Sequence, residues 1–303
     1  MFKPFLILFL IFISCHVKAQ KSSSYFYLKN TADSLIFEKK TPEAYLLYRK
    51  MVKISDIDPF IDIELVKLAL KVKDSKTAEK YLKQSILNGA SLGMLEVDSN
   101  VNSFLKHHTN WRKTYDLLRQ KHLSKIAHLE DRITLLNMLE KDQGLRSLLG
   151  VIEYKKADSL IFASDTANMA VIKEIIARTE FPNLETVGMD GINAIFILLL
   201  HTLNNGIEDA KNIEILTPLM KKAVIDLKYP PFNMALVIDR HRAIIRQKQI
   251  YGSYWEMGKQ NKRIVTPIEN IDEVDVRRKE IGLPPLSLLR NQRGYELPVD
   301  YKN

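Results

Sequence analysis

Apolar side chains recur at helical spacing over most of this 303-residue sequence, and in its N-terminal part the pattern predicts four helices. Two of them lie within residues 25–54 and are separated at Thr41-Pro42. Thr41 is expected to cap the second helix and Pro42 to open it. The other two helices are expected at Ile61–Val72 and Thr77–Leu87.

The rest of the chain also predicts helices, because no segment after residue 123 alternates long enough to predict a strand. One expected helix is an almost wholly apolar run that ends at His201, and another carries Pro218 in its first turn. The expected helices cover Leu123–Leu149, Asp165–Arg178, Ala194–Leu200, Ile213–Leu227 and Val274–Ile281. The fold class is therefore mainly α: helical hairpins, then a compact, mostly helical domain with an irregular C-terminal tail.

One stretch, residues 233–253, breaks the simple apolar pattern. It begins as an apolar run, places Asp239 and Arg240 in the middle of it, and ends in a polar segment that contains Gly252. Charged side chains inside an apolar helix are costly unless they have partners. The stretch is therefore expected to organise either a polar site or a buried salt-bridge network, and the sequence leaves both open.

The helices expected at residues 44–54 and 77–87 match each other at an offset of 34 residues, the period of a tetratricopeptide repeat. The matched pairs are Ala44 with Ala78, Leu47 with Tyr81, Tyr48 with Leu82, and Val52 with Ile86. With Ala78-Glu79-Lys80-Tyr81-Leu82 and the following Asn88-Gly89-Ala90, residues 25–120 resemble the tetratricopeptide family. The resemblance implies a concave face that could bind a peptide or a partner protein, although a spacer role fits two repeats equally well.

The first nineteen residues resemble a secretory signal peptide: Lys3 precedes an apolar run, Phe5–Ile13, that is too short to span a bilayer. Cleavage is expected after Ala19, which predicts a periplasmic or secreted protein with no transmembrane segment. The alternative is a lipoprotein anchored through Cys15. Cys15 is the only cysteine, so cleavage after Ala19 would leave no thiol for a nucleophile, metal site or disulfide.

Charge and composition narrow the function classes. The net charge is +9, and loss of Lys3 and Lys18 leaves 43 basic against 36 acidic residues, or +7. The basic residues are dispersed rather than gathered in a stripe with aromatic residues, so no nucleic-acid partner is expected. Phosphate-loop, dinucleotide and zinc-peptidase motifs are missing from the sequence, so neither a cofactor nor a metal ion is expected.

Residues 123–289 contain an ordered set of short motifs. This set resembles an uncharacterised bacterial domain family, one of the domains of unknown function. The set comprises Asp142-Gln143 with Arg146, Phe181-Pro182 with Val187-Gly188, His201, Ala235-Leu236 with Asp239-Arg240, Gln249 with Tyr251-Gly252-Ser253, and Arg277-Arg278 with Gly282-Leu283-Pro284-Pro285. The expected organisation is a signal peptide at 1–19, repeats at 20–121, this domain at 122–290 and a polar tail at 291–303.

Three functional hypotheses follow. The first is a cell-envelope binding module for a peptide, glycan or partner protein. The second is a hydrolase-type enzyme in which His201 is the general base, Asp142 or Asp239 orients it, and an anionic substrate is bound by Gln143, Arg146, Arg240, Gln249 and Tyr251. The third is purely structural, with Asp142, Arg146, Asp239 and Arg240 paired inside the core. A divalent ion on His201, Asp142 and Asp239 is a weaker variant of the second.

Overall fold

A computed structural model describes residues 21–107, 110–204 and 209–302. The side chains of Gln260 and residues 291–293 are outside this description, as is the expected signal peptide with Cys15. The described chain is mainly α, which confirms the fold class. No described helix is long and apolar enough to cross a membrane.

Helices account for nearly all regular structure in the described ranges. The first, α1, covers residues 21–37. The following helices are α2 (Thr41–Ile54), α3 (Pro59–Lys71), α4 (Ser75–Leu87), α5 (Leu92–Glu96), α6 (Ser99–Lys106), α7 (Trp111–Leu123), α8 (Leu129–Arg146), α9 (Tyr154–Arg178), α10 (Gly188–Thr202), α11 (Ala210–Ile225), α12 (Pro231–Ile244), α13 (Val274–Glu280) and α14 (Leu286–Arg293). Two short strands, β1 (Trp255–Met257) and β2 (Arg263–Val265), pair in antiparallel register.

The N-terminal helices form antiparallel hairpins whose entry points are fixed by acidic caps. Asp58 accepts the amide of Phe60 at the start of α3, and Asp74 accepts the amide of Thr77 at the start of α4. Both matched alanines, Ala44 and Ala78, are fully buried, which lets α2 and α4 approach their neighbours closely. The cap predicted for α2 was wrong: the helix begins at Thr41 itself, after Lys40, and has no side-chain cap.

Three further predictions about helix limits were wrong. The chain breaks between α7 and α8, because the amides of Ala127 and His128 donate to the carbonyls of Glu185 and Thr186 instead of continuing the helix. Helix α9 begins at residue 154 rather than 165, since its buried face includes polar residues that hide the apolar period. Pro218 lies well inside α11, because that helix begins at residue 210.

Helix α10 is the centre of the family-like part, packed against α8, α9 and α12. Its apolar side chains Ile192, Ile195, Leu198 and Leu199 are fully buried. One hydrophobic cluster runs from Tyr25 in α1 to Leu283 after α13, so the N-terminal hairpins and the later helices share a core. A smaller cluster surrounds the two-stranded sheet and α14.

A close approach at Gly282 joins α1 to the C-terminal part. Gly282 has a φ of +81°, and a β-carbon there would lie 2.3 Å from the ring of Phe26. Gly150 has the same φ of +81° but open space around it. The two glycines therefore share a backbone requirement and differ only in packing.

We expect Gly282→Ala to lower the free energy of unfolding by roughly 2–4 kcal/mol, combining left-handed strain with a clash against Phe26. Gly150→Ala should cost only the strain, about 1–2 kcal/mol. Urea unfolding of both variants checks this. Equal losses would mean that α1 does not pack on Gly282.

Candidate functional site

The first polar network joins α8, α9 and α10 through Asp142. One oxygen, Oδ2, lies 2.8 Å from Nδ1 of His201 and accepts a hydrogen bond from Nε2 of Gln143 at 2.9 Å. The other, Oδ1, accepts from Nε of Arg146 at 3.0 Å. Arg146 then donates from Nη2 to both carboxylate oxygens of Asp165, at 2.7 and 2.9 Å. The Asp142 carboxylate is 2% exposed, so these partners take the place of the water molecules that would otherwise solvate its charge.

His201 is an imidazole held by a carboxylate on one side and open on the other. Its side chain is 22% exposed, and Nε2 has no hydrogen-bond partner among the described residues. Because Nε2 is also absent from the buried atoms that lack a partner, it is accessible to solvent. Burial lowers the pKa of His201, and Arg146 adds to this, while Asp142 opposes it. The ring is therefore neutral at pH 7, with its proton on Nδ1 towards Asp142 and a lone pair on Nε2 facing solvent.

Arg240 fixes the end of the helix that carries His201. Its Nη1 donates to the carbonyl of Leu200, in the last turn of α10, and to Oδ1 of Asn204 at 2.6 Å. A cation at this end of a helix is favoured by the helix dipole. Burial lowers the pKa of Arg240, and nearby Arg146 lowers it further.

A cavity of about 480 Å³ adjoins this network. Arg146, Asp165 and Asn204 line it together with other polar residues of α9, and Tyr154 and Phe162 contribute aromatic surface. The other polar lining residues are Lys155, Asp158 and Ser159. Its volume lies in the range of small-ligand sites, ~300–1,000 Å³. The first network therefore borders a space that a small molecule can enter.

The second polar network is centred on Asp239, which is fully buried on α12. Its carboxylate accepts from the amides of Ile250, Tyr251 and Ser253, each at 2.8–3.2 Å, and from the hydroxyl of Ser253 at 2.7 Å. Burial raises the pKa of Asp239, and these donors oppose the rise. Every partner is a donor, an arrangement that suits the ionised carboxylate.

The loop at residues 249–254 is locked by further bonds. The Gln249 side chain donates to the carbonyls of Tyr254 and Thr266, both at 2.9 Å, and accepts the amide of Tyr254 at 2.8 Å. The carbonyls of Ile250 and Tyr251 accept from Arg277 at 2.9 Å and from Arg278 at 2.6 Å. We call this network, from Asp239 through residues 249–254 to Arg277 and Arg278, the clasp.

The structure thus divides the sequence candidates into two groups. His201, Asp142, Gln143 and Arg146 come together, and Arg240 joins their edge through α10. Asp239, Gln249 and Tyr251 belong to the clasp: the side chains of Asp239 and Gln249 bind backbone groups, and the amide and carbonyl of Tyr251 bind the side chains of Asp239 and Arg278. Arg240 has other partners at the end of α10. Asp165 and Asn204 were not foreseen.

A metal ion on His201, Asp142 and Asp239 finds no support, because Asp239 accepts loop amides in the other network. In the described ranges, no group of three or more His, Cys, Asp or Glu residues is placed to hold a metal ion.

The site is therefore a histidine held by a carboxylate, in a polar network whose Arg146 and Asp165 line a cavity, and this geometry alone does not specify a reaction. The model of a family of unknown function (DUF6624) matches residues 130–296, more than half of the 303 residues, and the chain belongs to that family. This agrees with the expected domain of unknown function; the polar pattern that suggested it stays a prediction. No curated protein and no solved structure matches the chain.

Since Asp239 serves the clasp, we expect Asp239→Asn to lower the free energy of unfolding by roughly 2–4 kcal/mol, because an amide group would face backbone N–H donors. Ser253→Ala, which removes one hydroxyl donor, should cost about 1 kcal/mol. Urea unfolding measures both. A loss for Asp239→Asn no larger than that for Ser253→Ala would contradict the structural role.

Proposed function

We propose that the family domain is an enzyme of hydrolase type with His201 as its general base. The observation that carries the proposal is the Asp142–His201 pair, in which Nδ1 is bound to the carboxylate and Nε2 has no partner among the described residues. Arg146 and Asp165 of the same network line a cavity. A neutral imidazole in this arrangement can accept a proton at Nε2 without first losing one.

The chemistry needs no nucleophilic side chain. Nε2 of His201 takes a proton from a water molecule, the water oxygen attacks an electrophilic acyl or phosphoryl centre, and the proton passes from Nε2 to the leaving group as that bond breaks. Asp142 stabilises the imidazolium formed between the two proton transfers. Asp165 positions Asp142 indirectly, by holding Arg146 from the far side.

Arg146 has only part of its guanidinium group available to bind an anionic substrate. Its Nε and Nη2 atoms are engaged by Asp142 and Asp165, which leaves Nη1 as the donor for a ligand in the adjoining cavity. Arg240 serves the end of α10 rather than the substrate. A substrate anion would therefore receive hydrogen bonds from Nη1 of Arg146 alone and not from two arginines.

A second candidate function, peptide binding, is supported by a groove of about 570 Å³ on the N-terminal helices. Phe37 and Phe60 line it and are 50% and 49% exposed, beside the charged residues Lys29, Glu64 and Lys67. An exposed aromatic pair with a charged rim suits an extended peptide. The tetratricopeptide resemblance supports the same proposal, since α2 and α4 begin 34 residues apart (75 minus 41).

Export belongs to the proposal as well. The positively charged start, the short apolar run and Ala19 support a periplasmic or secreted location, with Cys15 lipidation as the alternative. Mass spectrometry of the protein from cells distinguishes a chain that begins at Gln20 from one that begins at a lipidated Cys15.

The charge state of His201 gives the first test. We expect its pKa, measured by NMR of the ring protons, to lie below the ordinary 6.5, and Asp142→Asn to lower it further because the carboxylate favours the charged ring. A folded-state pKa below the unfolded one stabilises the protein above pH 6.5, and this contribution is lost as pH falls through the folded pKa. A pKa above 6.5 would contradict the neutral base.

Activity gives the second part of that test. Screened against carboxyl and phosphate esters, the protein should show a kcat that rises with pH through the lowered pKa of His201. His201→Ala should reduce kcat about 10²- to 10⁴-fold. Ser124→Ala, at an exposed turn, is the matched control and should not change kcat. Hydrolysis that survives in His201→Ala would place the chemistry elsewhere.

A further inference from the structure

Helix α7 meets the start of α10 at a junction built around His122. This residue lies in the last turn of α7 and is 5% exposed. The edge of its ring fills the space left by two glycines: a β-carbon at Gly89 would lie 2.9 Å from both Cε1 and Nε2, and one at Gly188 would lie 3.0 Å from Nε2. Gly89 follows α4 and Gly188 opens α10, so one imidazole joins the N-terminal hairpins to the helix that carries His201.

The two ring nitrogens of His122 have different surroundings. Nδ1 lies 3.1 Å from the carbonyl of Leu87, the last residue of α4. Because a carbonyl can only accept a hydrogen bond, Nδ1 carries the proton of the neutral ring. Nε2 has no hydrogen-bond partner among the described residues, and it is absent from the buried atoms that lack a partner, so a proton can reach it from solvent. Nε2 is therefore the atom that takes up a second proton.

Cations outnumber anions around this imidazole. The charged groups that face it are Arg119 of its own helix, Arg132 of α8 and Asp190 of α10. Arg119 donates to Asp190 and, from Nη1, to the carbonyl of Gly89 at 2.8 Å, and Nη2 of Arg132 donates to Asp190 at 2.7 Å. One carboxylate thus already serves two guanidinium groups. Burial lowers the pKa of His122, the two arginines add to this, and Asp190 opposes it.

A proton on Nε2 would make the arrangement unfavourable. It would place three positive charges around the single carboxylate of Asp190. The new N–H group would also lie between Gly89 and Gly188, where no described residue accepts a hydrogen bond from it. Movement of the charged ring into water relieves both penalties, because a solvated imidazolium has its donors satisfied and its charge screened.

Two backbone hydrogen bonds lie next to His122 in the chain and tie the same two parts together. The amides of Ala127 and His128, in the turn between α7 and α8, donate to the carbonyls of Glu185 and Thr186 at 3.2 and 2.9 Å. Residues 185–188 lead directly into α10. These two amides therefore report any separation of α7 from the start of α10.

We propose that this junction, which we call the joint, opens in acid. When Nε2 takes up a proton, the ring of His122 leaves the space between Gly89 and Gly188, and residues 185–188 separate locally from the end of α7. The hydrophobic core that the hairpins share with the later helices stays packed. The inference concerns the coupling of the two parts of the chain and does not depend on the reaction of His201.

The pH range of opening follows from the direction of the pKa shift. In the closed joint the imidazole binds a proton less tightly than it does in water, so the open form is favoured as the pH falls below 6.5. Between the pKa of the closed joint and that of a solvated ring, the opening equilibrium should rise about tenfold per pH unit. Above pH 6.5 the joint should stay closed.

Amide hydrogen exchange from about pH 7.5 down to about pH 5 tests the proposal. After correction for intrinsic exchange rates, the protection of Ala127 and His128 should fall below pH 6.5, while that of the buried residues Leu198 and Leu199 of α10 should not. The ring protons of His122 should titrate below pH 6.5 in NMR spectra. Constant protection at Ala127 and His128, an equal loss at the core amides, or a ring that titrates at or above pH 6.5 would each overturn the proposal.

His122→Gln removes the titrating group and keeps a polar side chain. Whatever the level of protection in this variant, the protection of Ala127 and His128 should no longer depend on pH. His107→Gln is the matched control, because His107 is exposed at the end of α6 and its replacement should preserve the pH response. A response that survives in His122→Gln, or disappears in His107→Gln, would assign the acid sensitivity to another group and overturn the proposal.

Discussion

The buried carboxylate of Asp239 is the interaction on which the C-terminal third depends. It gathers the amides of Ile250, Tyr251 and Ser253 and one hydroxyl around a single charge, and this holds residues 250–253 in a single conformation. Gly252 makes that conformation accessible, with a φ of +65°. The carbonyls of Ile250 and Tyr251 in this loop accept hydrogen bonds from Arg277 and Arg278 of α13. Because Asp239 on α12 fixes the loop, it also positions α13 indirectly.

The two networks meet at α12, which carries both Asp239 and Arg240, but they have different roles. In the clasp, polar side chains bind backbone groups and are nearly all satisfied within the protein. Around Asp142 the side chains bind one another, and Nε2 of His201 is left without a partner among the described residues. Arg240 connects them, because it follows Asp239 in the chain and holds the end of the helix that bears His201. The stability of the clasp therefore also supports the geometry of the proposed base.

Local spacing predicted part of this arrangement. Asp142 and Arg146 are four positions apart on one helix, which is enough to pair them. The cost of a charge in an apolar run correctly indicated that Asp239 has partners, but the sequence could not show that they are backbone amides, since this depends on loop conformation. His201 meets Asp142 across 59 positions, a contact that only tertiary packing creates.

Asp165 and the limits of α9 show a second reason for failure. The sequence placed Asp165 at the start of a helix, yet it lies in the middle of α9 and faces inwards with Ser164 and Asn168. A buried face that contains polar residues has no clear apolar period, so the helix was predicted too short and its inward carboxylate was missed. The inward carboxylate belongs to the candidate site, where local sequence rules are expected to fail.

Hydrogen exchange of the amides of Ile250, Tyr251 and Ser253 tests the central claim most directly. If the Asp239 carboxylate holds them as described, they exchange as slowly as the buried amides of α12, although they lie in a loop. The amide of exposed Lys248, just before them, should exchange rapidly. Rapid exchange at all four positions would mean that the clasp is not formed in solution and would contradict this account.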